Sequence, residues 1–362
     1  MIEHIEIENF KSLQKVSLDL GPLNIFVGTN ASGKTNFLEA LRVLQGIGYG
    51  YTVDEIFNGK PKGANSEVWE GIRGGSKYAR FVGATHDVHF GVKATFPSSG
   101  DFEYALSISP TESRFTAERL AFDDGEVVTF PDEDLAKDGS SGSYSIALHD
   151  LGDLQWLLPS ARAQREYSTA SRAVRMGDHA ENFAALLKTI LSDDVKGADY
   201  LSWLKELTPA ELDGIEILTN PDGAFTFAFR KGDVNYPARV LSDGTLRFAA
   251  IAAAFFQPSP PRLLLLEEIE EGLHPTRLQL LVELLKSQTG HGVEQVFATS
   301  HSPYAIAWLN EEDYKHVFLC TKNEETGAST ITPFSEVPHL IEVARRHPIS
   351  DLFVQGWLET AV

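Results

Sequence analysis

The sequence predicts a split α/β domain, its halves at the two ends of the chain, with a β and helical insertion between them. Three observations carry this reading. Near the start, the buried-type run Leu23-Asn24-Ile25-Phe26-Val27 leads through a glycine-bearing loop at 28–34 into Phe37, Leu38, Leu41 and Leu44 at helical spacing. After residue 241, α/β alternation returns: a helix at 245–256, a buried strand at 263–266, a helix at 276–288 and a strand at 293–298. Between the two, short alternating runs broken by turn residues give way to helical spacing.

Taken in order, residues 1–27 read as strands, with Ile5 and Ile7 alternating with acids. Residues 85–130 read as an antiparallel meander: Val88, Gly91 next to Phe90, and Val92 open it, and Ser98-Ser99-Gly100-Asp101 and Asp123-Asp124-Gly125-Glu126 supply its turns. The stretch 132–143 is acidic and then Gly/Ser-rich, an exposed loop. From about 150 to 212 the pattern is helical, clearest at Ala180 to Leu191 and Tyr200 to Leu207, and 224–230 returns to strand. This divides the chain into 1–84, the N-terminal part of the head; 85–230, a meander and helical insertion acting as a lid or arm; and 231–362, the C-terminal part of the head. No internal repeat and no sustained heptad is present.

Composition narrows the class. With 362 residues and 43% hydrophobic content the chain can bury a large core and needs no covalent staples. Its one cysteine, Cys320, excludes an intrachain disulfide and a Cys-rich zinc site, and suits a reducing compartment. The acidic, alternating N-terminus is wrong for a signal or transit peptide, and the longest apolar stretch, Phe248 to Phe256, is far too short to span a bilayer. The sequence therefore reads as a soluble cytoplasmic protein with no membrane partner. A net charge of −20 argues against coating nucleic acid over the whole surface and leaves room only for a local basic patch.

The strongest chemical signal is Gly28-Thr29-Asn30-Ala31-Ser32-Gly33-Lys34-Thr35, which has P-loop spacing. Small residues let successive backbone N–H groups turn inward around phosphate oxygens, and the following helix points its positive end at them. Lys34 adds a charge on the terminal phosphates and Thr35 a hydroxyl for Mg²⁺; Asn36 completes the segment. A second signal is Leu263-Leu264-Leu265-Leu266-Glu267-Glu268, a strand buried on both faces with two carboxylates at its carboxyl end. Glu267 suits the Mg²⁺ shell and Glu268 suits deprotonation of an attacking water, although Glu270 and Glu271 extend the run and also fit a solvated acidic loop. A third is Val296-Phe297-Ala298-Thr299-Ser300-His301-Ser302-Pro303, in which His301 suits a γ-phosphate sensor, a base for a serine, or a structural hydrogen bond. No Gly-x-Ser-x-Gly elbow supports the serine role, and His86 and His89 lack companions at metal-ligand spacing. A fourth is Leu241-Ser242-Asp243-Gly244-Thr245-Leu246-Arg247, which reads equally as a helix cap by Ser242 or Asp243 and as an anion site at a helix N-terminus.

In this order the four pieces resemble the ABC-type P-loop ATPases, specifically the branch of RecF, SMC and OLD-like bacterial AAA-family ATPases. Ile7-Glu8-Asn9-Phe10-Lys11-Ser12-Leu13 is similar to the opening of that branch, Glu267 to Pro275 to its Walker B and D-loop, and Ala298 to Ser302 to its switch. The resemblance covers roughly 1–45 and 240–310. It implies an ABC-like split head with an N-terminal antiparallel β lobe. It implies a head-to-tail dimer with ATP between the P-loop of one copy and Ser242, Asp243 and Gly244 of the other, with Glu268 as base and His301 as switch. ATP then holds the dimer and hydrolysis opens it. The signature departs from Leu-Ser-Gly-Gly-Gln, Glu267 replaces the usual Asp, and no Q-loop glutamine is assigned.

The stretch between Thr35 and Leu241 is too short and too poor in heptads for coiled-coil arms, and little follows His301 for a TOPRIM nuclease domain. Asp132 and Asp134 fall in the predicted loop and carry little weight as a nuclease site. The resulting expectation is an ATP-hydrolysing switch in DNA repair or anti-phage defence that controls a separate effector such as a nuclease. The alternatives are a nucleotide-gated scaffold with negligible hydrolysis or, more remotely, a transporter subunit. For DNA, the local feature is Arg162, Arg165, Arg172 and Arg175 with Tyr167 among them, which also fits a solvated helix face.

Overall fold

The computed structural model describes residues 1–61, 69–130, 142–169, 172–207 and 212–361. Asp132, Asp134 and most of the predicted acidic loop lie outside them. Contacts divide the chain into two compact units: Met1–Leu154 with Leu309–Val362, and Gln155–Trp308. This runs along other lines than the three-segment division of the sequence, which stays a proposal.

The first unit opens with β1 (Ile2–Phe10) and β2 (Leu13–Asp19), an antiparallel pair in which Ile5 faces Leu18 and Ile7 faces Val16. The alternation of isoleucine with acid places the isoleucines in the core. β3 (Leu23–Val27) and α1 (Lys34–Gly48) flank the glycine-bearing loop, and α1 buries Phe37, Leu38, Leu41 and Leu44 as their spacing requires. After α2 (Val53–Asn58) come β4 (Val88–Phe96), β5 (Gly100–Ser109), β6 (Arg114–Phe122) and β7 (Val127–Phe130). They form the expected meander and continue the first pair into one antiparallel sheet of order β2-β1-β4-β5-β6-β7. Gly100 and Gly125 hold two of its turns at φ 72° and 92°. α3 (Gly142–Gly152) starts at Gly142 and Ser143, so these two residues are helical rather than loop.

α1 and α3 meet backbone to backbone. A Cβ on Gly48 would lie 2.4 Å from Gly152 Cα and 2.5 Å from Leu148 O. Gln45 of α1 donates to Leu154 O at 2.7 Å just beyond α3. The helix that follows the phosphate-type loop is thus fixed along its far end by α3.

The second unit begins within β8 (Leu154–Leu157), a strand in a region whose spacing reads as helical. Its four residues are buried throughout, and a short all-buried run has no periodicity to separate strand from helix. α4 (Ala161–Arg165), α5 (Phe183–Ile190) and α6 (Asp194–Leu207) follow, then an antiparallel sheet of β9 (Gly214–Thr219), β10 (Phe225–Lys231) and β11 (Val234–Pro237). α7 (Asp243–Phe256), β12 (Leu263–Leu266), α8 (Pro275–Gln288), β13 (Gln295–Ser300) and α9 (Pro303–Ile306) complete it. β12 and β13 are parallel, with Leu266 opposite Ala298, and every residue of both is buried.

The chain then rejoins the first unit with β14 (Val317–Lys322), parallel to β3, and β15 (Ser329–Pro333), antiparallel to β14. Three short helices, α10 (Leu340–Ala344), α11 (Ile349–Val354) and α12 (Trp357–Thr360), end the fold. Among the described residues the longest helix is α1 with 15 residues, and none is long and apolar enough to cross a membrane.

Because the α1–α3 contact leaves no room for a methyl group against backbone, Gly48→Ala is expected to cost about 1–3 kcal/mol. Chemical denaturation of the full chain checks this, as a lowered midpoint with an unchanged slope.

Candidate functional site

In the first unit, the loop from Gly28 to Gly33 leaves β3 and enters α1. Ala31 and Gly33 hold left-handed conformations, φ 64° and 106°, and Gly28 has φ 152°. A Cβ on Gly28 would sit 2.2 Å from Cys320 O of β14, and one on Gly33 2.2 Å from Ser329 Oγ of β15. Neither position accepts a side chain, so the two C-terminal strands press the loop into shape. Lys34 is buried and donates to Gly28 O and Thr29 O, both at 2.8 Å. Asn30 and Ala31 face solvent, Thr35 and Asn36 are half-buried, and Ser32 is buried with no partner for its Oγ among the described residues.

The opening motif is drawn to the same place. Asn36 donates to Ser12 Oγ at 2.7 Å, Ser12 Oγ meets Ser329 Oγ at 2.6 Å, and Ser329 N–H donates to Ser12 O. Lys11, at left-handed φ 51°, pairs with buried Glu39 of α1 and donates to Arg73 O at 2.8 Å. Burial lowers the Lys11 ammonium from its ordinary range, and Glu39 opposes that shift. Lys11 and Ser12 thus brace the phosphate-type loop and the helix behind it.

In the second unit, β12 ends at Leu266 and delivers Glu267 and Glu268 at its carboxyl end, as the sequence predicts. Glu268 adopts φ 48°, a left-handed conformation costing an L-residue roughly 1–2 kcal/mol. Two residues hold it there. Thr299 of β13 accepts Glu268 N–H on Oγ1 at 3.0 Å and Ile269 N–H on its carbonyl at 3.0 Å. Arg247 of α7 donates to Glu267 O at 2.7 Å, to Glu268 O at 3.0 Å and to Glu271 Oε2 at 2.8 Å. Burial lowers the Arg247 guanidinium, and the charges of Glu271, Glu270, Glu268 and Glu267 raise it in opposition.

Ser242 is the residue that caps α7, its Oγ accepting Thr245 N–H at 3.2 Å. A Cβ on Gly244 would lie 2.2 Å from Gly272 O, so the start of α7 packs directly on the turn after the glutamates. Asp243 is ion-paired with Arg165, which also donates to Leu241 O at 2.8 Å. His301 donates its backbone N–H to Glu270 Oε1 at 2.7 Å, and its Nδ1 lies 2.9 Å from the same oxygen.

Ser242, Asp243, Gly244, Glu267, Glu268 and His301 therefore gather in the second unit. Gly28 to Asn36 gather in the first. The solvated-loop reading holds for Glu271, whose side chain is 66% exposed, but not for its neighbours: Glu267 and Glu268 are half-buried, and the side chain of Glu270 is only 11% exposed. Sequence reasoning assigned no role to Thr299, Arg247 or Glu270, although all three stand inside its motifs. The basic stretch is not one helix face either, since α4 ends at Arg165, and Arg172 and Arg175 lie beyond it.

The donor set fits a nucleotide with Mg²⁺. Ala31 and Gly33 are left-handed, as a loop that curls around an anion requires, a buried hydroxyl stands unpartnered among the described residues, and an ammonium and a hydroxyl open a 15-residue helix. Among the described residues, no group of three or more His, Cys, Asp or Glu could hold a metal.

The profile of the family described as "AAA domain, putative AbiEii toxin, Type IV TA system" matches residues 23–307. The chain belongs to that family. It is an ABC-type P-loop ATPase of the RecF, SMC and OLD branch. An "ATP/GTP phosphatase" of Helicobacter pylori is 22% identical over 93% of this chain and 96% of its own length. An "OLD nuclease" of Thermus scotoductus is 21% identical over 84% of this chain and 59% of its own. A "DNA replication and repair protein RecF" of Lactobacillus acidophilus is 48% identical, but over only 12% of each chain. Among solved structures, an SMC head bound to the C-winged helix domain of ScpA aligns with TM-score 0.54 at 16% identity, over 91% of this chain and 96% of that one. An Smc head with an extended coiled coil, bound to the C-terminal domain of ScpA derived from Pyrococcus furiosus, gives 0.53 at 14%, over 95% and 99%. These structural likenesses establish the P-loop NTPase fold.

The left-handed turn at Glu268 yields a test. Glu268→Gly removes the steric cost while adding Gly's larger unfolded-state freedom, so this ATPase is expected to gain up to about 1 kcal/mol in stability while losing the carboxylate. A thermal melt of the variant showing a clearly lowered midpoint would contradict the backbone assignment.

Proposed function

We propose that this chain binds and hydrolyses ATP and works as an ATP-dependent homodimeric switch. The observation that carries the reading is the loop from Gly28 to Thr35, shaped to exclude side chains at Gly28 and Gly33 and closed by buried Lys34. The family and the similarity to an ATP/GTP phosphatase over nearly the whole of both chains support it.

In this reading, the N–H groups from Asn30 to Lys34 take the phosphate oxygens and the Lys34 ammonium neutralises developing charge on the terminal phosphate. Thr35 and Glu267 would be the protein ligands for Mg²⁺, which would supply charge neutralisation at the phosphates. Glu268 accepts the proton of the attacking water. The cap of α7, formed by Ser242, Asp243 and Gly244, serves the nucleotide bound on a second copy. His301 is the switch that reports the terminal phosphate. The OLD nuclease and RecF similarities, with a family description that names a toxin system, favour a role in DNA repair or defence that acts on a separate effector, such as a nuclease, or on DNA.

Lys34→Ala is expected to weaken ATP binding at least tenfold by calorimetry, and unchanged affinity would remove the reading. Glu268→Gln is expected to bind ATP, release no phosphate and accumulate as a dimer when light scattering is recorded with ATP·Mg²⁺. A Glu268→Gln protein that hydrolyses at the wild-type rate would unseat the catalytic assignment. One that binds ATP, dimerises and matches a wild type also without turnover would point to a scaffold instead.

A further inference from the structure

We propose that Glu270 is the positioning residue of His301, holding its imidazole as the Nδ1–H tautomer so that Nε2 is left as an acceptor. The inference deepens the reading of the chain as an ATPase and rests on it for its consequence in turnover.

Four glutamates stand within five residues at the end of β12, and they behave differently. Glu271 reaches solvent, with its side chain 66% exposed. Glu270 turns inward and is 11% exposed, while His301 opposite it is 45% exposed. Glu270 Oε1 meets two groups of the same residue, the His301 backbone N–H at 2.7 Å and ring Nδ1 at 2.9 Å. One oxygen thus fixes both the main chain and the ring, which restricts the side-chain torsions of His301. Oε2 is buried with no hydrogen-bond partner among the described residues. A buried acceptor left unpaired costs about 1–3 kcal/mol, so this carboxylate is poorly explained as a stabilising contact.

The tautomer follows from the donor inventory. A carboxylate only accepts, so the ring nitrogen that faces it carries hydrogen. In the neutral ring the other nitrogen, Nε2, then bears the lone pair. No hydrogen bond to Nε2 occurs among the described residues. A neutral ring in this state cannot donate from Nε2 to a phosphate oxygen, but it can accept a hydrogen bond from water. The lone pair at Nε2 thus suits a hydrogen bond accepted from a water beside the terminal phosphate, through which His301 acts as the switch, with the proton of the attacking water itself going to Glu268. The nucleophile remains water, and no bond to His301 forms.

The test uses the full chain labelled with ¹⁵N-histidine, with the His301 ring assigned by its loss in His301→Gln. Long-range ¹H–¹⁵N spectra at a pH where the ring is neutral are expected to show the Nδ1–H pattern in wild type. Glu270→Met, which keeps the length and lacks an acceptor, is expected to shift His301 to the Nε2–H pattern of free imidazole and to lower kcat tenfold or more, with KM for ATP within about twofold. Glu270→Gln, whose amide oxygen still accepts, is expected to keep the Nδ1–H pattern, to recover most of the turnover, and to fold wherever the Met variant does not. An Nδ1–H pattern that survives in Glu270→Met, or a Gln variant that loses it, overturns the proposal. So does a Met variant with raised KM and unchanged kcat. Failure of the ATPase reading looks different: wild type and Glu268→Gln would release phosphate equally, while the His301 spectrum would still respond to Glu270→Met.

Discussion

The constraint on which the rest depends is a backbone one. To hold phosphate, the six residues between β3 and α1 must turn their N–H groups to one side, which requires left-handed residues and positions with no side chain. Gly28 and Gly33 meet that need because β14 and β15 leave no room for a Cβ at either point. The chain therefore builds its loop from both ends of the sequence. β3 and α1 supply it, and strands from beyond residue 316 press it into shape. Ala31, at φ 64°, shows that the surrounding structure imposes the conformation, since an alanine gains nothing from it by itself.

A second strained turn follows the same logic in the second unit. Glu268 is left-handed, and the two hydrogen bonds to Thr299 with the Arg247 contacts more than offset the roughly 1–2 kcal/mol that costs. Strain held in place by such neighbours is characteristic of positions kept for chemistry. Thr299 lies on β13, Arg247 on α7 and Glu268 at the end of β12, so three elements must be correctly packed before the carboxylate is aimed. A change in any of them acts on the turn without touching the glutamate itself.

How much of this was legible in the sequence depended on how local its cause is. The α/β alternation, the meander, the capping by Ser242 and the loop at 28–34 are set by spacings within a few residues, and those readings agree with the structure. β8 was illegible because Leu154 to Leu157 is a short run buried on every side, which carries no period. Glu270 was merged with its neighbours because burial, not identity, distinguishes it from Glu271. Arg165 looked like part of a basic stretch, while its partner, Asp243, lies nearly eighty residues away. Pairings at that distance leave no mark on local pattern.

The placement of Arg247 explains how so acidic a segment stays ordered in a chain of net charge −20. Four carboxylates in five residues repel one another, and a surface ion pair would do little about it. Arg247 instead sits largely buried and directs its donors at the carbonyls of Glu267 and Glu268, taking only Glu271 by its carboxylate. The guanidinium thus fixes the main chain of the turn and lowers the local potential without using the carboxylates of Glu267 and Glu268 as hydrogen-bond partners. Because its hold on those two residues is to backbone, it does not depend on the charge that either side chain carries. An arginine that gripped the carboxylates themselves would have to release them at each change of charge. A lysine could not reach three acceptors in the fixed fork that guanidinium provides.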